Sequence, residues 1–179
     1  LWLLVLGIGL QLGLLGGVAV AMFALPRSIA APQQPAPPSP PCPHPFLAAV
    51  GTFLIALPVL SLLAYAWKTG LQSLGYDTPD QDMVDMFRHA DSPGKLLLMT
   101  VFATVVAPLT EEVVFRAGLF RYLRTRIPRW IAVTAPAALF ALLHTNALAF
   151  LPLFALGVVF SLAYERTGRI SVTIIAYSP

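Results

Sequence analysis

Long apolar runs alternate with short polar segments along the whole chain. We interpret five of these runs as membrane spans, because about 20 apolar residues cover the roughly 30 Å of hydrocarbon in a bilayer. They cover residues 1–25, 46–67, 95–120, 131–148 and 149–164. A last run, residues 170–179, is too short to cross a bilayer as a helix. The pattern therefore predicts an all-α, polytopic transmembrane helical bundle with five full spans and a truncated sixth.

Both ends of the chain interrupt this pattern. The sequence begins with Leu1 rather than Met, so we expect residues 1–25 to be a span of a chain that lacks its start, with a signal anchor as the alternative. The short final run indicates a chain that is cut off within its sixth span.

The first run is almost wholly apolar, and Gln11 is its only polar side chain. Gly9, Gly13 and Gly17 fall on one helical face at a spacing of four residues. Such a stripe of small residues allows close helix approach, but glycine is also simply tolerated in membrane helices. Both interpretations stay open.

Composition divides the chain into a span at 1–25, a proline-rich linker at 26–45 and a helical domain at 46–179. The linker holds nine of the 17 prolines, which lack a backbone donor and have a fixed φ, so it is expected to be an extended connector. Within the acidic loop 68–94, residues 78–87 are expected to form a short helix on the membrane surface or over the bundle. A solvated loop is the alternative there.

The charge content sets the class of protein. Of the 179 residues, 58% are hydrophobic and only 11% are charged, whereas soluble domains average about 25% charged residues. We therefore expect an integral, multi-pass protein of the cell (inner) membrane, with the lipid bilayer as its surroundings. The net charge of +3 does not form a basic stripe with interleaved aromatic residues, so nucleic acid is not an expected partner. The single Cys42 excludes an intrachain disulfide.

The basic residues also predict the topology. Arg121, Arg124, Arg126 and Arg129 form the densest basic cluster, which indicates a cytoplasmic loop by the positive-inside rule. The loop with Arg166 and Arg169 is then cytoplasmic as well, and the acidic loop is external.

Three charges lie inside the third apolar run: Glu111, Glu112 and Arg116. Each charge at membrane depth costs about 2.5–3.5 kcal/mol on the lower scales, so such residues need partners or a function. Glu112 and Arg116 have the favourable i, i+4 order for a pair. Glu111 has no such partner and must use another helix or a water-filled cavity. Pro108, one turn earlier, permits a kink beside it.

A candidate catalytic pair follows from these charges. His144 is the only ionisable residue predicted inside a neighbouring span, and a carboxylate with an imidazole can activate water. Glu111 would be the general base, and His144 the orienting group, acid or oxyanion stabiliser. The alternatives are a packing histidine and a purely structural Glu112–Arg116 pair. A rise of 1.5 Å per residue puts Glu111 and His144 at depths that differ by several Å, unless tilt or a proline kink corrects this.

The sequences Glu111-Glu112-x-x-x-Arg116 and Phe140-x-x-x-His144 resemble the first two motifs of the CPBP intramembrane proteases. This family includes the CAAX prenyl endopeptidases and the bacteriocin-processing, Abi-like proteins, and the resemblance covers roughly residues 71–175. It implies an intramembrane endopeptidase acting on a peptide or protein at the membrane. It also implies that Glu111 activates the attacking water, that Glu112 and Arg116 support the site, and that His144 helps bind or activate the water.

The third motif of that family, a histidine followed four residues later by an asparagine, is not matched. Tyr177 stands at the expected histidine position, and the chain ends before the asparagine. Loss of one oxyanion donor typically costs about 100- to 1000-fold in rate. A catalytically impaired relative that binds peptides or confers immunity is therefore the alternative function. A proton-coupled transporter is a further one, ranked last because no internal repeat is visible.

The cofactor stays open at this stage. A divalent metal such as zinc would make the protein a metalloprotease, but two candidate ligands are too few for a typical catalytic zinc site.

Overall fold

The computed structural model describes residues 2–24, 41–76, 87–88 and 90–177. Within these ranges the chain forms helices and no strand, so the all-α prediction is confirmed. We number the helices in chain order: α1 Trp2–Ala24, α2 Pro45–Ser73, α3 Pro93–Arg124, α4 Arg129–Leu143, α5 Ala147–Thr167 and α6 Ile170–Tyr177.

Three of these helices, α2, α3 and α5, are long and apolar enough to cross a membrane. Their outer faces suit lipid, since Leu54, Ile55 and Leu62 of α2 are 61%, 73% and 69% exposed. The apolar part of α1 (Val5–Val20) and α4 are shorter. The total of five full spans stays a prediction.

The predicted fourth span, 131–148, is wrong at its end. Helix α4 stops at Leu143, and α5 begins at Ala147, where the Asn146 side chain accepts a hydrogen bond from the backbone N–H of Ala149 at 3.0 Å. An N-cap of this kind satisfies a free donor of the new helix. Because the residues on both sides of the turn are apolar, hydropathy alone does not reveal the turn between these two helices.

Two predicted segments lie largely outside the described residues. These are the proline-rich linker, of which only 41–45 is described, and the short helix expected at 78–87. Pro45 is already the first residue of α2, which suits proline because its missing N–H would have no helical partner there.

Helix α3 is not regular. Two π-helical stretches, Phe102–Val106 and Val113–Phe120, flank the short α-helical segment Ala107–Glu112. Pro108 has no N–H to offer the carbonyl one turn before it, so the hydrogen-bond register is disturbed at this point. Short π-helical segments are frequent at functional sites because the wider turn changes which side chains face inward. Here three consecutive residues, Val114, Phe115 and Arg116, are all buried.

The bundle packs most closely where α4 meets α5. A Cβ atom built on Gly157 would lie 2.8 Å from the Cβ of Ala137 and 2.9 Å from its Cα, so the two backbones approach within a distance that only glycine allows. Helix α2 covers α5 and α6 through Ala49, Phe160 and Val172.

Helix α1 lies against the middle of α3. Its contacting side chains include Leu14 and Val18, and Gly7 faces the Phe102 ring. A Cβ on Gly9, Gly13 or Gly17 would meet no atom within 4 Å among the described residues. The predicted glycine stripe is therefore not the packing face within this part of the chain.

Ion pairs join the two basic loops at one end of the bundle. Arg124 and Arg129 donate to the two carboxylate oxygens of Glu165 at 2.6 and 2.8 Å. The loop after α3 and the end of α5 therefore lie on the same side, in line with the predicted topology.

In the last part of α2, the indole N–H of Trp67 donates to the carbonyl of Ala147, next to the α4–α5 turn, at 2.8 Å.

Candidate active site

The predicted Glu112–Arg116 pair is formed, and it is fully buried. The Nη1 atom of Arg116 lies 2.8 Å from Oε1 of Glu112, and the two side chains are 1% and 0% exposed. The guanidinium also lies over the rings of Phe140 and Phe160, at 5.3 and 5.4 Å from their centroids. Its Nη2 atom donates a long hydrogen bond of 3.4 Å to the carbonyl of Gly157. One arginine therefore links α3 to both α4 and α5.

Glu111 is also buried, but its partners come from other helices, as its position in the sequence predicted. The amide Nε2 of Gln11 in α1 donates to its Oε1 at 3.1 Å. The hydroxyl of Tyr177 in α6 donates to its Oε2 at 2.8 Å. Among the described residues its hydrogen-bond donors are thus neutral groups, whereas the neighbouring Glu112 faces a cation. Glu111 and Glu112 point about 100° apart on the helix, so each has its own surroundings.

His144 is the first residue beyond α4 and is exposed. Helix α4 therefore ends before this residue, within the predicted fourth span. Its Nδ1 lies 2.8 Å from the carbonyl oxygen of Phe140. Because a carbonyl can only accept, Nδ1 carries the hydrogen and Nε2 is left to bind another group. The described residues include no hydrogen bond between His144 and either glutamate.

One aromatic ring separates His144 from the buried charges. The Phe140 ring contacts the His144 ring edge-to-face at 4.8 Å and lies beneath Arg116. The next residue, Thr145, has a φ of 49°, a left-handed conformation that β-branched residues rarely adopt. Strain of this kind often occurs near functional sites. A direct His144–Glu111 site stays a prediction.

Two residues of this arrangement were not assigned to the site from the sequence. Tyr177 stands where the resemblance expects a histidine, and its hydroxyl donates a hydrogen bond to Glu111. Its ring packs edge-to-face on Phe160 at 5.4 Å. Gln11 was noted only as the single polar side chain of its run. That isolation was the available signal, since a polar group in an apolar helix needs a partner.

The described residues do not fit a typical zinc centre. No group of three His, Cys, Asp or Glu side chains that could hold a metal ion occurs in the described part of the chain. Glu112 is occupied by Arg116, and Glu111 by Gln11 and Tyr177. We therefore derive no step through a metal.

An apolar cavity of about 150 Å³ lies beside Tyr177. It opens between α2, α5 and α6, and Phe53, Leu57 and Leu156 contribute to its wall. Its volume is suited to one apolar side chain.

These features define a class: helical membrane proteins with a buried carboxylate site inside the bundle. Comparison with known proteins finds a family model that is similar to part of the chain. Residues 93–178 match the family model of the type II CAAX prenyl endopeptidases, Rce1-like. The resemblance inferred from the motifs is thereby confirmed for this segment, which includes Glu111, Arg116, His144 and Tyr177.

Two curated relatives agree with this assignment. "Membrane-embedded CAAX protease MroQ" of Staphylococcus aureus (strain USA300) is 40% identical over 90 residues, which are 46% of this chain and 36% of that protein. "Putative membrane peptidase YdiL" of Bacillus subtilis (strain 168) is 31% identical over 80 residues, or 45% of this chain and 33% of that protein. The chain thus spans about a third of the length of these relatives. No solved structure gives a significant match.

Proposed function

We propose that this protein is an intramembrane endopeptidase in which Glu111 activates a water molecule for attack on a peptide bond. The observation that supports this role is the setting of Glu111. It is buried in the Rce1-like segment and bonded to neutral donors from two other helices, while the adjacent Glu112 is neutralised by Arg116. A carboxylate that is not paired with a cation is able to take a proton from water.

The proposed reaction is the hydrolysis of a peptide bond, in which Glu111 carries one proton from water to the leaving nitrogen. Glu111 takes one proton from water as the water oxygen bonds to the carbonyl carbon of the substrate, which gives a tetrahedral oxyanion. The C–N bond then breaks, and the proton held by Glu111 passes to the leaving nitrogen. The products are a carboxyl and an amine terminus, and Glu111 is again ionised.

The other site residues would support this reaction. Glu112 and Arg116 fix the part of α3 that carries Glu111, through the contacts of Arg116 with α4 and α5. His144, whose Nε2 is not used by Phe140, would help bind the water or the oxyanion when substrate brings the helix ends together. Such polar donors stabilise the charge that develops in the transition state.

The proposed substrate is a peptide or protein segment at the bilayer, in the cell membrane. The apolar cavity beside Tyr177 would take one side chain of such a segment. One relative is named as a CAAX protease, and we propose a substrate of that kind or a bacteriocin leader.

The test uses the full chain, purified in detergent and returned to liposomes. A library of synthetic peptides with one apolar segment, prenylated CAAX-type peptides included, is added, and products are identified by mass spectrometry. Glu111→Gln keeps the shape but removes the base, so we expect cleavage to fall about 10²–10⁴-fold. Leu109→Ala, at a 48% exposed neighbouring position of the same helix, is the matched control and should cleave normally.

Two results contradict the proposal in different ways. Equal cleavage by Glu111→Gln and by the unchanged chain removes Glu111 from the mechanism. Absence of every product with the unchanged chain removes the peptidase function.

The second candidate is a catalytically impaired relative that binds a membrane peptide or acts as an immunity protein. Tyr177 favours it, because a phenol stands where the resemblance expects a histidine and is bonded to the proposed base. Binding of the same labelled peptides, measured by fluorescence anisotropy and unaccompanied by product, would support this candidate over the first.

A further inference from the structure

Among the described residues of α1, Gln11 is the buried polar side chain. Its side chain is 7% exposed, and its Nε2 donates to Oε1 of Glu111 at 3.1 Å. The remaining polar atom, Oε1 of Gln11, is also buried and has no hydrogen-bond partner among the described residues. Gln11 lies outside the segment that matches the protease family, residues 93–178.

The orientation of this amide follows from the chemistry of its partner. A carboxylate oxygen accepts hydrogen bonds, so the NH₂ group of Gln11 must face Glu111, and the carbonyl oxygen on the same carbon is left without a partner among the described residues. A buried acceptor without a donor reduces stability, and leucine would avoid that loss in a helix of this composition. The amide oxygen therefore requires an explanation beyond packing.

We infer that Gln11 is a positioning residue of the site: it holds the Glu111 carboxylate and offers its free oxygen to the attacking water. This inference rests on the proposed function. A water molecule has two O–H bonds, and one of its protons passes to Glu111. A second acceptor for the other O–H turns a lone pair of the water toward the substrate carbonyl, and such orientation lowers the barrier.

The consequence is that the site extends beyond the family segment. Helix α1 supplies one hydrogen bond to the proposed base, and a chain without α1 would hold Glu111 by Tyr177 alone among the described partners. Docking of α1 is therefore expected to be needed for full activity.

The first variant is Gln11→Met, which keeps the length of the side chain and the helix propensity but removes both amide groups. We expect kcat for peptide cleavage to fall about 10- to 100-fold, as for one lost hydrogen bond to a charged group, with KM changed less than about twofold. The matched control is Leu12→Ala, at a 64% exposed neighbouring position of the same helix, which leaves both the amide and the contact with α3 in place. Its kcat should stay within about threefold of the unchanged chain.

A cross-link separates positioning from simple docking. A Cβ on Gly118 would lie 3.9 Å from Cγ2 of Val18, so a cysteine pair at these two positions would face each other across the α1–α3 contact. In a Cys42→Ser background, Val18→Cys with Gly118→Cys is oxidised so that α1 stays on α3. The decrease in kcat caused by Gln11→Met should persist in the cross-linked protein.

The outcomes are distinct. Recovery of kcat on cross-linking shows that Gln11 only docks α1 and overturns the inference, as does a Gln11→Met protein with unchanged kcat while Glu111→Gln is inactive. If neither an oxidant nor a flexible bifunctional thiol reagent joins the cysteine pair, α1 does not lie on α3 and the inference is wrong. If the unchanged chain cleaves no peptide, the proposed function itself fails, and the role of Gln11 in hydrolysis fails with it.

Discussion

Replacement of Arg116 by methionine is expected to destabilise the protein by about 3–5 kcal/mol, the usual result of breaking a buried ion pair on one side. The structure supports the full value, because Glu112 is 0% exposed and its facing cation would be lost at 2.8 Å. The contacts of the guanidinium with two aromatic rings are worth up to about 2 kcal/mol when desolvated. A methionine sulfur on the same rings replaces about 0.3–1.5 kcal/mol of that.

The double variant Glu112→Met with Arg116→Met gives the sharper prediction. Since apolar residues of similar volume can replace a buried ion pair at little or no cost, the free energy of unfolding should return to within about 1 kcal/mol of the unchanged chain. Peptide cleavage should not return with it, if the pair also fixes the segment that carries Glu111. Stability and activity would then separate in one protein.

Unfolding can be followed through Cys42, the single cysteine of the chain. It is half-buried and packs near the α2–α5 contact, so a thiol-reactive dye reports when that contact opens in a detergent titration or thermal scan. A loss below about 1 kcal/mol for Arg116→Met would contradict the reasoning. So would a double variant that is as unstable as the single one, because the cost would then come from packing rather than from an unpaired charge.

Three further predictions use the same unfolding assay. Gly157→Ala should cost about 1–3 kcal/mol, since its methyl group would overlap the backbone of Ala137; an unchanged midpoint would show that α4 and α5 separate freely. Thr145→Gly should raise stability by about 1 kcal/mol by relieving its left-handed φ of 49°, and a lower midpoint would mean that the threonine side chain is needed there. Glu165→Gln should lower stability by about 1 kcal/mol through its arginine pairs, with a smaller loss at high salt; a loss that does not depend on salt would contradict an ionic origin.

The sequence predicted the Glu112–Arg116 pair because helix geometry alone places residues i and i+4 together. It could not name the partners of Glu111, since they come from α1 and α6 and depend on how the bundle packs. It did predict that Glu111 must use another helix or a water-filled cavity. A charge in an apolar run therefore indicates that a partner exists, and only the packing identifies it.

Helix α1 shows why its packing face was missed. It is apolar on every side, so no polar face marks which side meets solvent or lipid, and the regular glycine spacing left the face with Gly9, Gly13 and Gly17 open as a packing face. Gln11 lies on the side that contacts α3, together with Leu14 and Val18. In such a helix the single polar residue is a better guide to the buried face than the small residues are.

The end of α4 was missed for a related reason. Apolar residues continue on both sides of His144, so hydropathy alone extends one span across the turn. The local signal was Asn146, a favoured N-cap residue, which caps α5. His144 therefore lies at a helix end and not within a helix.

The two donors on Glu111 also bear on the proposed reaction. Both bonds are strengthened by the negative charge of the carboxylate, which disappears when Glu111 takes a proton from water. At that moment negative charge develops on the oxygen of the substrate, which becomes the stronger acceptor. On the proposed mechanism, the Tyr177 hydroxyl, 2.8 Å from Glu111 before reaction, can therefore turn to the oxyanion as the proton moves. A neutral phenol can in this way serve first the base and then the intermediate.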